Sequence, residues 1–431
     1  MIIKTEYTAF TSLLSLMKLV TSSKKLQENM KVVSFFVKDN ALHALSTDGQ
    51  LYCLDKVDAE FDTEGEDNPF MVLSLKELDD ALTKYSSLQR TYVKEIQLQT
   101  QQKGVVLTVI EEPKVLKDSD NFKFSDMYKD LTTRYKLTRF EARPYITKEI
   151  PNMVMPDVYT DMVSKDLQKY LEYLYPPMTK PKEIARLNFK NDYVCSIMGN
   201  VFGIAMTNNL PKEIFTDFTL PLEYVNFFKY VIPMSESFRI SKFVQSNNRV
   251  NDDGIDRSTD NTVILMVEIG DILVRLKTND LTSGAPTETF KTSFPNSIEV
   301  DKPYLLDLIK RIEGYDQVYF EIKITPDETV DGISSAEFIM KTQRTRHRIP
   351  VKVAHGEGEF KFMLRPESVG LMAFSHLTKD LDGNSDKIND LIFSMAALEN
   401  GFINLTCKDR TDDWQARYPR CPIKNAPLLD F

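Results

Sequence analysis

Cysteine and histidine are scarce in this chain of 431 residues, with four of each. Cys53, Cys195, Cys407 and Cys421 form no CxxC pair and no dense framework. That excludes a disulfide scaffold and suits a reducing compartment, with the thiols free and buried or half-buried. His43, His347, His355 and His376 are scattered among strands and a helix end without metal-ligand spacing, so no metal is expected. Catalytic signatures are missing as well. There is no GxxxxGK[ST] phosphate loop, no GxSxG and no HExxH, and the lone GxG in HGEGEF reads as a turn between strands. No motif places a pair among the 63 acidic residues. The sequence therefore points to binding or scaffolding, with no enzyme activity and no cofactor expected. Apolar stretches such as TVILMVEI, from Thr262, stop well short of the 18 or so residues of a membrane span, so no membrane partner is expected. The opening MIIKTEY has no basic region leading into an apolar stretch, so no secretory signal is expected and the location is taken as cytoplasmic.

What the chain does have is repetition. An amphipathic helix, three or four short strands, a second amphipathic helix and a strand pair recur at a spacing of roughly 145 residues. The helix pairs are YTAFTSLLSLMKLV (from Tyr7) with LKELDDALTKY (from Leu75), YTDMVSKDLQKYLEYL (from Tyr159) with PLEYVNFFKYV (from Pro221), and DKPYLLDLIKRIE (from Asp301) with RPESVGLMAFSHL (from Arg365). Such a period exceeds that of solenoids, so each repeat should carry its own core, and 431 residues suit three such domains. The fold class expected is α+β: three tandem domains, each with two helices packed on antiparallel sheets. The expected boundaries are a first domain over 1–112, a linker over 113–156 and a second domain over 157–280. A linker over 281–297, a third domain over 298–420 and a tail over 421–431 complete the division. Within the repeats, KVVSFFVK, ALHALST and QLYCL read as strands joined by Asp39-Asn40 and Asp48-Gly49 turns, with KVDAEF as a further strand. YVCSIMG and VFGIAMT read as a pair joined at Gly199-Asn200, and TVILMVEI and DILVRLK as a pair joined at Gly270-Asp271. Gln245 to Asn261 reads as a polar, mobile loop.

Net charge is −9, which argues against a protein that coats itself in nucleic acid but not against one that confines positive charge to one surface. The helices show such placement. Phe10, Leu13, Leu14, Met17 and Val20 form an apolar stripe on the first helix. Met162, Leu167, Tyr170, Leu171 and Leu174 approximate one on the third, and Leu305, Leu306, Leu308, Ile309 and Ile312 suit burial on the fifth. Cations stand on the polar faces or at the ends: Lys18, Lys24 and Lys25; Lys84 and Arg90; Lys165 and Lys169; Lys229; Lys310 and Arg311; Arg365 and Lys379. One lysine late in a helix is ordinarily a solvated residue that complements the dipole. Recurrence on equivalent elements of three repeats points instead to a stripe that meets phosphate without reading base sequence.

Three helix-and-sheet repeats with cationic helices on an acidic chain resemble the DNA sliding clamps, in the three-domain bacterial form. ALSTDGQLYCL and SIMGNVFGIAM resemble the strand–turn–strand of clamp domains, and FKFMLRPESVGLMAFSHL resembles the strand that enters the second helix. The stretches Glu111 to Pro156 and Gln245 to Asn261 are longer than a compact bacterial clamp needs, which suits a diverged version encoded by a bacteriophage, acting in the bacterial host cytoplasm. The resemblance implies that each chain forms an arc, and that a homodimer closes head to tail through edge strands of its first and third domains. Twelve helices would line the hole, and duplex DNA would face the cations named above. It also implies that the DNA polymerase and the clamp loader dock short peptides in an apolar cleft. Here that cleft maps to Gly199, Val201, Phe202 and Ile204 with Leu428, Leu429 and Phe431 of the tail. The competing expectation is a repeated-domain viral structural or assembly protein without a DNA role.

Overall fold

The structure is a computed structural model. It describes residues 2–21, 26, 31–62, 70–86, 91–101, 104–113, 131–141, 150–173, 186–190, 193–198, 201–206, 210–247, 260–279, 294–312, 315, 317–326, 334–365, 389–398, 401–408 and 414–424. Five α-helices are described: α1 Tyr7–Val20, α2 Leu75–Leu82, α3 Ser164–Tyr173, α4 Leu222–Val231 and α5 Lys302–Ile312. None is long and apolar enough to cross a membrane. The second helix expected in the third repeat falls in 366–388, outside the described residues.

Local chemistry sets the helix starts. At α2, the Ser74 side chain accepts from the Glu77 backbone N–H (3.3 Å), the expected work of a serine N-cap. At α5, Asp301 Oδ1 accepts from the Tyr304 backbone N–H (2.9 Å), so Asp301 caps the helix rather than opening it. Pro221 holds the corresponding position before α4, without a side-chain cap hydrogen bond. The third helix begins five residues later than its apolar spacing suggests. Thr160–Val163 is a strand with alternating exposure, so Met162 is buried from a sheet and not from a helix.

The described strands form three sheets built of antiparallel pairs. Contact clustering divides the chain into two compact units: residues 1–162, 237–247 and 262–278 in one, and 163–236, 248–261 and 279–431 in the other. The first unit holds a five-stranded sheet in the order Glu60–Asp62, Ile2–Glu6, Thr91–Gln101, Gly104–Pro113, Leu131–Leu137. It also holds a nine-stranded sheet running from Arg139–Phe140 through Phe70–Ser74, Val32–Lys38, Ala41–Thr47 and Leu51–Asp58 to Ile272–Asn279, Asp260–Ile269, Ser237–Asn247 and Thr160–Val163. Helix α1 packs on strands of both sheets, and α2 packs beside it. Its stripe is buried as the spacing requires, with Phe10 stacked on Phe35 at 5.6 Å. The second unit holds a thirteen-stranded sheet in which Val201–Met206 pairs with Trp414–Pro422.

Four strands of five or more residues lie where no strand is expected from the sequence. Ile2–Glu6 pairs with Thr91–Gln101, and Asn296–Asp301 pairs with Asp390–Ala397. Trp414–Pro422 pairs on both sides, and Leu131–Leu137 extends the five-stranded sheet. The stretch 113–156, expected as an elaborated linker, thus contributes a strand to each sheet of the first unit, Leu131–Leu137 and Arg139–Phe140. Phe140, Ile150 and Met153 also pack into an apolar cluster with Val32, Leu45, Tyr52 and Val72. Likewise KVDAEF is not one strand: Lys56 to Asp58 continue the strand from Leu51, and Glu60–Asp62 crosses to the other sheet. Gln245 to Asn247 and Asp260 to Asn261 end strands, and the rest of that polar loop is outside the described residues.

Candidate nucleic-acid interface

The solvent face of α1 is made of hydroxyls more than charge: Thr8, Ser12 and Ser15 are exposed, with Thr11 partly so. Ser15 and Thr11 donate back to the carbonyls of Thr11 and Tyr7 (2.8 and 2.9 Å), which leaves their oxygens able to accept. Its one cation, Lys18, sits in the last turn, where the helix dipole favours it, and its Nζ lies 2.6 Å from Asp79 Oδ1 on α2. Lys84 follows α2 in a 3₁₀ turn, Thr83–Tyr85, with Nζ 5.5 Å from the ring centroid of Tyr135. Tyr85 and Tyr135 share a hydroxyl hydrogen bond of 2.8 Å, and burial first of all pushes the Tyr85 phenol up to about 12. Lys76, exposed on α2, joins this group and was not among the expected residues. The helix start at Leu75, already expected from the sequence, was signal enough to find it, because Lys76 falls opposite buried Leu78 and Leu82.

In the second unit α3 and α4 pack together. Lys165 is exposed near the start of α3, and Lys229 is half-buried in the last turn of α4. Both cations have interactions of their own. Lys310 and Arg311 end α5 and are exposed, Lys310 with Asp307 Oδ1 at 3.6 Å. Arg311 lies close enough to His347 to add to the burial that lowers the imidazole pKa. Thus Lys18, Lys229, Lys310 and Arg311 all stand in last turns. Lys24, Lys25, Arg90, Lys379 and the side chain of Lys169 are outside the described residues, and Arg365 is exposed at the end of its strand.

The expected peptide cleft is described only in its backbone. Gly199, Leu428, Leu429 and Phe431 lie outside the described residues, as do the side chains of Val201, Phe202 and Ile204. The strand register is informative nonetheless. Phe202 pairs with Arg417 and Ala205 with Trp414, antiparallel. The strand Trp414–Pro422 therefore runs toward the Gly199-Asn200 end of its neighbour and delivers the chain there before the tail begins.

These cations can neutralise phosphates, and nothing about them reads bases. Their carboxylate neighbours make each contact weaker than a free lysine would give. Among the described residues no group of acidic, histidine and cysteine side chains could hold a metal.

Solved structures share this architecture along the whole chain. The DNA polymerase III beta subunit of Thermotoga maritima matches over 99% of this chain and 100% of its own, with a TM-score of 0.64 at 10% identity. That of Borrelia burgdorferi matches over 98% of both chains, with a TM-score of 0.64 at 12% identity. The Caulobacter crescentus beta sliding clamp matches over 99% of both, with a TM-score of 0.64 at 10% identity. No protein-family model matches the sequence, and no curated protein matches it. At such identities the likeness is one of fold: the chain has the α+β fold of the beta clamps from end to end.

Proposed function

We propose that this chain is a sliding clamp: two copies close head to tail around duplex DNA and tether the replicative polymerase for processive synthesis. The observation that carries this reading is the end-to-end correspondence, 98–100% of both chains, with DNA polymerase III beta subunits. Had one repeat alone matched, a ring would have had no support. The repeated last-turn cations on a chain of net charge −9 favour it too, since a mostly acidic molecule keeps DNA off its other surfaces. Contacts softened by Asp79 and Asp307 suit a ring that must slide. Polymerase and loader peptides dock where the tail leaves Trp414–Pro422 beside the Gly199-Asn200 turn, on Val201, Phe202, Ile204, Leu428, Leu429 and Phe431. No catalysis and no cofactor belong to this role.

The test has two stages. In solution the chain runs as a dimer, twice its 49.7 kDa, and forms no larger polymer. An open-ended polymer would instead favour an assembly protein. Lys165, Lys169, Lys310 and Arg311 are then reversed to Glu together. The variant keeps its circular dichroism and its dimer, and retention on circular duplex after loading drops by roughly tenfold or more. Unchanged retention and unchanged polymerase processivity would remove the DNA-lining assignment.

A further inference from the structure

The fold contains two joints built on one rule. Leu51–Asp58, the third strand after α1, pairs antiparallel with Ile272–Asn279, the third strand after α4. Val201–Met206, the third strand after α3, pairs antiparallel with Trp414–Pro422, the last strand of the chain. The rule leaves two strands over. Arg346–Ile349 is the third strand after α5, and Leu131–Leu137 is the third strand after α2. Among the described residues each has a strand neighbour on one side only, Ser334–Lys341 and Gly104–Pro113 respectively, although the Tyr304 hydroxyl of α5 donates to the Arg348 carbonyl (3.3 Å). His347 Nε2, on the first of these edges, is buried with no hydrogen-bond partner.

We infer that these two edges join between two copies of the chain and that like charge opposes the joint, so that the dimer tightens as salt rises. This rests on the two-copy ring proposed above. Exposure alternates along both strands. Thr133, Tyr135 and Leu137 are turned inward, as are His347 and Ile349, while Thr132, Arg134, Lys136, Arg346 and Arg348 are exposed. Residues opposite one another across a ladder share a face, so inward residues must meet inward residues. Two registers keep this alternation and use all of the shorter strand, the first of them bringing buried Ile349 opposite Leu131, which is 40% exposed. One sets Arg346 opposite Arg134. The other sets Arg346 opposite Lys136 and Arg348 opposite Arg134. Either one faces cation with cation, and either offers His347 a hydroxyl neighbour, Thr133 or Tyr135. The nearest offset is Glu337, 3.9 Å from Arg348 and exposed.

The joint within the first unit is of another kind. Leu51, Cys53, Val274 and Leu276 are at most 1% exposed there, and Arg275 lies over the Tyr52 ring at 6.0 Å. Beside this apolar joint, the one between copies would be strained by repulsion, and it is the one that would part to admit DNA.

Sedimentation equilibrium of the full chain from about 50 to about 500 mM NaCl tests this, because screening shortens from beyond a strand spacing to within it. The dimer dissociation constant should fall roughly tenfold across that range. Arg134→Glu with Lys136→Glu should tighten the dimer at low salt and reverse the trend. Adding Arg346→Glu and Arg348→Glu should restore weak low-salt association. A dimer indifferent to salt and to both charge changes overturns the repelled joint and leaves the ring standing. A monomer under every condition and in every variant overturns the ring itself.

Discussion

At the scale of single residues, the tightest constraint in the described structure is Gly356. Its φ is +87°, a region that side chains disfavour, and a Cβ built there would lie 2.4 Å from Asn296 Oδ1 and 2.6 Å from the Pro295 carbonyl oxygen. The turn cannot yield easily. Asn296 Oδ1 accepts from the Glu357 backbone N–H (2.9 Å), and the Gly356 carbonyl accepts from the Ser334 hydroxyl (2.8 Å). Gly49 makes the comparison clean, with φ +96° and open space around its Cβ position. Gly356→Ala therefore adds a backbone clash to the conformational strain and should cost about 3 kcal/mol, whereas Gly49→Ala carries the strain alone at about 1 kcal/mol. Denaturant midpoints of the two variants rank them, and equal midpoints would mean that the Asn296 turn relaxes freely.

At the scale of elements, the edge strand Leu131–Leu137 hangs on few contacts besides its ladder, and Glu77 supplies two of them. Its carboxylate accepts from the Thr138 backbone N–H (2.8 Å) and hydroxyl (2.9 Å), so the residue in the capping-box position of α2 is turned outward to anchor another segment. Glu77→Ala should cost about 1–2 kcal/mol locally and speed amide exchange across Leu131–Leu137 roughly tenfold, while Glu77→Gln retains part of the protection. Equal exchange in all three proteins would place the anchor elsewhere. The same strand shows what could be read in advance and what could not. Helices α1, α2, α4 and α5 were legible to within a residue at their starts, because apolar spacing and capping residues agree there. The strands of the hairpins were legible from their turns: Asp39 and Asn40 adopt positive φ (49° and 58°), and Gly270 does too (59°). LTTRYKL was not legible, because the wet face of this edge strand is Thr132, Arg134 and Lys136 and its composition matches that of a linker. Ile2–Glu6 was hidden because its partner, Thr91–Gln101, lies far away in sequence, and the strand from Trp414 because one of its two partners, Val201–Met206, does. In the site, last-turn cations were visible as a pattern. The Lys18 ion pair was not, as Lys18 and Asp79 are 61 residues apart, whereas Lys310 and Asp307 stand one helical turn apart.

At the scale of the whole molecule, the proposed clamp would have to hold DNA by enclosure and not by grip, and the ion pairs on its helices would set the grip. Lys18 and Asp79 are each 40% exposed, and Lys310 and Asp307 are 75% and 68% exposed, so both pairs are solvated enough to exchange a carboxylate for a phosphate at small cost. In the ring proposed here each carboxylate would compete with DNA for its lysine and repel the backbone as well. Asp79→Asn with Asp307→Asn removes the competition, keeps the shapes and raises the charge of the chain from −9 to −7. The double variant should bind short linear duplex roughly tenfold more tightly at low salt, with a steeper loss of affinity as salt rises, because more counterions leave the DNA on binding. Fluorescence anisotropy across a salt series measures both quantities. The same variant, loaded on circular duplex, should diffuse along it more slowly, since every added phosphate contact must break for the ring to advance. If affinity and salt slope both stay at the parent values, Lys18 and Lys310 do not face the duplex, and the lining would have to be sought on α3 and α4.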